Sequence, residues 1–166
     1  MDKPAEILTG RKIALLVSEG FAPNQLTMMT HALDAEGCII ELVGAHGGTV
    51  KDAKGKAQKV DRPLPNAPSV IYDGAVVLGG SSSALLSSAH LIHFLNEAFR
   101  HGKPLAFLGN AAEVLSATLL PTANPAIGLA AGAVAESAKS FVEALLKHRF
   151  PGRNGHLTKS KSIREY

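Results

Sequence analysis

Lys103-Pro104-Leu105-Ala106-Phe107-Leu108-Gly109-Asn110-Ala111-Ala112-Glu113-Val114-Leu115 is a short apolar run that turns at a glycine into a helical pattern. It reads as a buried strand, a sharp turn and a helix, which is the geometry of a nucleophile elbow. Chemistry at such an elbow uses Ser or Cys at the apex, where the helix N-terminus lowers a thiol's pKa and helps hold an oxyanion. Here the apex is Gly109, followed by Asn110. Glycine has no side chain and cannot attack a substrate. The stretch therefore predicts the shape of an active site without its nucleophile.

Upstream of the elbow, Ile13-Ala14-Leu15-Leu16-Val17 is a continuous apolar run that suits a parallel strand buried on both faces. Pro23 fits the first turn of a helix, whose apolar positions Leu26, Met29, Ala32 and Leu33 recur at helical spacing until Gly37 caps it. Cys38 to Val43 is the second strand, completing a right-handed βαβ unit. Residues 47–50 and 55–60 are short, polar and bounded by glycine, which predicts a small hairpin on the edge of the sheet. Pro63, Pro65 and Pro68 then predict an extended loop. The sheet resumes at Ala75-Val76-Val77-Leu78, followed by Gly79-Gly80-Ser81-Ser82-Ser83. A helix is expected from about Ala89 to His101, with Leu91, Leu95 and Ala98 inward. After the elbow strand a helix should run through Leu119, then a last strand from Ala126 to Ala130 and a last helix from Ser137 to Lys147.

Alternating strands and helices predict a three-layer, doubly wound α/β fold with a mostly parallel sheet. Residues 1–10 read as a linker or arm, 11–150 as the domain, and 151–166 as a basic tail without periodicity. Ligands in such sheets sit beyond the carboxyl ends of the strands. Glu19, Gly79, Gly80, Ser81 and Asn110 all map to that edge, and together they define the one candidate ligand cleft.

Composition excludes several function classes. The chain has 166 residues, 46% of them apolar, which suits one globular domain. Aromatics make up only 5% with no Trp, so base-stacking platforms for single-stranded nucleic acid are not expected. Much of the net charge of +3 lies in the tail, read as a solvated segment rather than a nucleic-acid patch. No apolar run is long enough to span a membrane, and the charged N-terminal residues do not read as a signal peptide. The lone Cys38 cannot form an internal disulfide and suits a reducing, cytoplasmic setting. It opens an apolar strand and reads as a buried structural thiol. His90 and His93 stand three apart on a helix, but with no acidic or Cys partner they read as surface histidines, and no metal site is expected. His46 reads as structural. The Gly79 to Ser83 turn could hold an anion, yet it lacks the Lys of a phosphate-binding loop and reads as helix capping.

Two resemblances follow from particular motifs. Val76-Val77-Leu78-Gly79-Gly80 and Lys103 through Leu115 resemble the strand-glycine turn and elbow of the ThiJ/PfpI superfamily, within the flavodoxin-like, class I glutamine amidotransferase-like folds. That superfamily's enzymes place Cys at the position of Gly109, often His at that of Asn110, and Glu shortly after the first strand, where this chain reads Gly20-Phe21-Ala22. Glu19 is the nearest acid. More specifically, residues 10–14, 45–50, 66–73, 94–104 and 141–150 resemble, in order, the C-terminal domain of large-subunit haem catalases.

The resemblance implies a non-catalytic domain appended to a haem-bearing body that decomposes hydrogen peroxide. Haem would belong to that body, since the tyrosines available here are Tyr72 and Tyr166, neither placed as an axial ligand. No cofactor is expected in this chain. The expected role is to stabilise or organise an assembly, with the haem domain or a second copy of the chain as partner, or to act as a chaperone. The alternatives are a free-standing ThiJ/PfpI-type enzyme acting on small carbonyl compounds or peptides, and a small-molecule binding module.

Overall fold

The computed structural model describes residues 8–80, 89–115, 118, 120–121 and 128–146. Six parallel strands form one sheet in the order β5-β2-β1-β6-β7-β8. They are β1 (Lys12–Leu16), β2 (Ile39–Gly44), β5 (Arg62–Pro63), β6 (Gly74–Val77), β7 (Leu105–Leu108) and β8 (Leu129–Gly132). The helices are α1 (Pro23–Ala35), α2 (Ala89–Arg100), α3 (Ala112–Leu115) and α4 (Val134–Leu146). Because the central strands are apolar on both faces, each face needs a helical cover. On one face Ile13, Leu15, Val17, Val76, Leu78 and Leu108 pack with Met29 and Leu33 of α1 and Phe141 and Leu145 of α4. On the other, Ala14, Leu16, Val77 and Phe107 pack with Leu91, Phe94, Leu95 and Phe99 of α2. The strand order reverses between β1 and β6, which places a crevice at the carboxyl ends of those strands.

The α/β architecture and the strand and helix order match the sequence reading. α1 starts at Pro23 and ends before Gly37, whose φ of 80° closes the helix with Gly37 N–H on Asp34 O and Cys38 N–H on Leu33 O.

Five expectations need correction. The hairpin, β3 (Thr49–Lys51) with β4 (Ala57–Lys59), is not the edge of the main sheet but a separate two-stranded ribbon, linked to the domain by a bridge between Phe21 and Asp52. The actual edge is β5, inside the segment expected to be an extended loop; Pro63 has no N–H to donate, which confines such a strand to an edge. Two short 3-10 turns, Leu64–Asn66 and Ser69–Ile71, follow it. The helix after the elbow is short: Thr118 already lies in a bend, its N–H on Leu115 O at 3.1 Å. α4 begins three residues before the expected Ser137. The expected last strand is shifted, with residues 126–127 outside the described set and β8 extending to Gly132.

From the middle of β2, level with Ala14 of β1, Glu41 ties several elements together. Its Oε1 accepts from Tyr72 Oη at 2.7 Å and Arg62 Nε at 3.1 Å, and Lys12 Nζ lies 3.3 Å from its Oε2. The Arg62 hydrogen bonds, helped by Tyr72 and Lys12, outweigh burial and hold the Glu41 carboxyl down to about 2. Burial first, and then the bond to Glu41, push the Tyr72 phenol well above its ordinary value.

Candidate functional site

The crevice is built from three short pieces of chain: the turn after β6, the elbow after β7, and the first turn of α1. The turn after β6 is Gly79-Gly80, and neither position has room for a side chain. A Cβ on Gly79 would lie 2.6 Å from Leu108 O and 2.7 Å from Asn110 Oδ1. Gly80 adopts φ 83°, and a Cβ there would meet Ala22 N at 2.9 Å. The turn is fixed to the head of α1 by Ala22 N–H on Gly79 O at 2.9 Å. Gly109 sits at φ 58° at the apex of the elbow, as the apolar-run-to-helix pattern predicts.

Gln25, a residue the sequence reading did not single out, occupies the centre of this arrangement. Its Oε1 accepts from Gly79 N–H at 2.7 Å. Its Nε2 lies 3.1 Å from where a Cβ on Gly109 would be. The second carboxamide, Asn110, accepts from Gly80 N–H through Oδ1 at 2.6 Å. Two consecutive backbone donors, of the kind that cradles an anion or an oxyanion, are thus already bonded to side-chain oxygens of the chain itself. Carboxamides neither ionise nor act as nucleophiles near neutral pH. The space a nucleophile would need is shared with the Gln25 amide. A signal for Gln25 was available: it lies in the first turn of the helix that follows β1, at the carboxyl edge where cleft residues collect.

The sequence-derived cleft residues converge in part. Gly79, Gly80 and Asn110 meet, with Gly109 beside them. The exposed Glu19 turns to the hairpin, its Oε2 accepting from Lys51 N–H at 3.2 Å. Ser81 lies outside the described residues, as do Ser82 and Ser83. Ser18 was also not foreseen. It is 8% exposed, and its Oγ is the one buried side-chain polar atom among the described residues with no hydrogen-bond partner. Extending the β1–β6 register by two residues puts it level with Gly79.

Other candidates lie elsewhere. Cys38 is buried, and burial, then the Glu36 carboxylate, push its thiol up to about 11. That is the opposite of nucleophile activation. His46, His90 and His93 are exposed, and the described residues contain no cluster of His, Cys, Asp or Glu able to hold a metal ion. No described helix is long and apolar enough to cross a membrane.

Comparison with known proteins gives one consistent result. The family model for the C-terminal domain found in long catalases matches residues 9–155. Catalase HPII of Pseudomonas aeruginosa is 31% identical over 144 residues, covering 86% of this chain and 20% of that protein. Catalase-2 of Bacillus subtilis is 25% identical over 141 residues, covering 84% of the chain and again 20% of the relative. The chain thus corresponds to about a fifth of the length of these relatives. Among solved structures, oxidized Toxoplasma gondii DJ-1 matches with a TM-score of 0.68 at 16% identity, covering 93% of this chain and 97% of that one. The two-domain protein of Anabaena variabilis with DJ-1/ThiJ/PfpI-like and ferritin-like domains matches with a TM-score of 0.72 at 16% identity, over 86% of this chain and 49% of the other. These structural likenesses establish a shared fold.

Proposed function

Because the chain belongs to the family of C-terminal domains found in long catalases, we propose that it is a non-catalytic assembly domain of a hydrogen-peroxide-decomposing haem catalase, and that it stabilises that enzyme. The observation that carries this reading is the filled elbow. Gly109 offers no nucleophile, and Gln25 and Asn110 occupy the Gly79 and Gly80 N–H donors of the turn that faces it. A hydrolytic or carbonyl chemistry here would need an ionisable group beside Gly109, and Glu19, the acid nearest to the turn after β1, accepts from Lys51 N–H instead. Haem would sit in the catalase body, not in this domain.

The test purifies the gene product from its own cells and scans it for a Soret band. A haem-bearing catalase polypeptide should accompany the 166 residues, either as the same chain or as a tight complex. Destabilising the domain through Gly79→Ala should then shorten the half-life of catalase activity on heating and leave the initial turnover rate unchanged. A haem-free product that turns over small carbonyl compounds, with saturation kinetics, would refute the reading.

A further inference from the structure

Three large apolar side chains are markedly exposed among the described residues: Ile39 at 50%, Val70 at 72% and Ile71 at 37%. All three gather at the amino end of the sheet, opposite the filled elbow. Ile39 opens β2 and pairs in register with Lys12, the first residue of β1. Val70 and Ile71 precede Asp73, whose N–H donates to Lys12 O at 2.7 Å and whose Oδ2 accepts from Lys12 N–H at 2.9 Å. The three residues therefore flank the start of β1 on both sides. A groove of about 350 Å³, lined by Pro65, Pro68, Val70, His93 and Glu97 among others, continues the patch across the 3-10 turns towards α2. Polar groups line the groove beside these apolar ones: His90, His93 and Glu97 of α2 and His101 just after it, with Glu97 paired to Arg100. An apolar centre with a polar rim is the anatomy of a protein interface.

The incoming chain reaches the same end. Leu8 is fully buried, Gly10 N–H donates to Gly37 O at 3.0 Å, and Ile39 N–H donates to Arg11 O at 2.7 Å. The polypeptide thus enters β1 directly beside Ile39. The family is one of C-terminal domains, matched here from residue 9, and the matched region is 20% of either of the two relatives above. In those proteins most of the polypeptide precedes the domain and is delivered to the amino end of the sheet. A body tethered there meets that face at an effective concentration in the millimolar range, enough to hold even a modest apolar contact closed.

We propose that the amino-end face, centred on Ile39, Val70 and Ile71, is where this domain docks on the catalase body that precedes it in long catalases, in the same chain or in trans. This rests on the assembly role proposed above and assigns it a surface. The test places a benzophenone photo-crosslinker at Val70, or at the exposed Asn24 at the carboxyl end as a control, in the full gene product expressed in its own cells. Val70 should yield adducts with peptides of the haem-bearing body, and Asn24 should not. Val70→Asp should weaken co-purification, or in a single chain the protection of the junction from proteolysis, at least tenfold. Its thermal midpoint as an isolated chain should not move, because the side chain is already solvated. Adducts with catalase peptides from Asn24 but not Val70 would keep the assembly role and overturn the face. Adducts from Val70 to a second copy of this chain would overturn the occupant. No catalase peptide at either probe would remove both.

Discussion

Gly79 illustrates how a single missing side chain can be required by backbone rather than by a ligand. Its absent Cβ would lie 2.6 Å from a carbonyl oxygen, and backbone cannot move aside as the end of a flexible side chain can. Gly79→Ala is expected to cost about 3 kcal/mol or more in urea unfolding. Gly47→Ala, where nothing lies within 4 Å and φ is not positive, should change stability by less than about 0.5 kcal/mol. Equal effects at the two sites would contradict the packing argument. Ser18 presents the reverse case. A buried hydroxyl without a partner carries a desolvation penalty of about 1–3 kcal/mol. Ser18→Ala should therefore be neutral or stabilising, with the urea midpoint unchanged or raised. A clear loss of stability would show that the hydroxyl has a partner after all.

The edge strand β5 is tied to the sheet less by its short ladder than by one carboxylate. β5 is only two residues long, and Arg62 anchors it to β2 through Glu41, which also holds Tyr72 and Lys12. The folded-state value of about 2 lies below the ordinary 4.5, so this contribution is complete above about pH 4.5. It fades as pH falls through 4.5 and is gone below about 2. Glu41→Gln should lower stability at pH 7 and flatten the acid limb of the stability curve between those values. An acid limb of unchanged steepness in the variant would assign the pH dependence to other carboxylates. The crevice is tied in the same economical way: Gln25 joins α1, and Asn110 joins the elbow, to the turn after β6 through one short hydrogen bond each.

Across the whole molecule, the two apolar clusters on either side of the sheet behave as one folding unit, because every central strand contributes side chains to both. Cys38 lies in the first cluster, 6% exposed, with its thiol raised to about 11. It should report global opening. At pH 8 the native protein should resist a thiol-disulfide reagent, with a labelling rate that follows the unfolding equilibrium as urea is added. Rapid labelling without denaturant would mean that the α1–β2 junction opens by itself. The two ends of the sheet also differ: the carboxyl edge is closed by its own carboxamides, while the amino edge exposes Ile39, Val70 and Ile71.

By itself the sequence determined the fold class, the order of the elements and the empty apex of the elbow. Continuous apolar runs such as Ala75 to Leu78, and the glycine at the end of α1, are local signals that need no distant partner to be legible. It also carried the family resemblance, because the matching motifs recur in order along the chain. Only the tertiary structure decided that Gln25 fills the elbow, that Glu19 serves the hairpin, that the hairpin stands apart from the sheet, and that Pro63 lies on its edge. Each depends on residues far apart in the chain meeting across the sheet: Gln25 and Gly79 are separated by 54 positions, and Gly80 and Asn110 by 30. Spacing along a sequence reports helical and strand periodicity. It carries no record of which side chain will reach across a crevice, because that choice is made by packing.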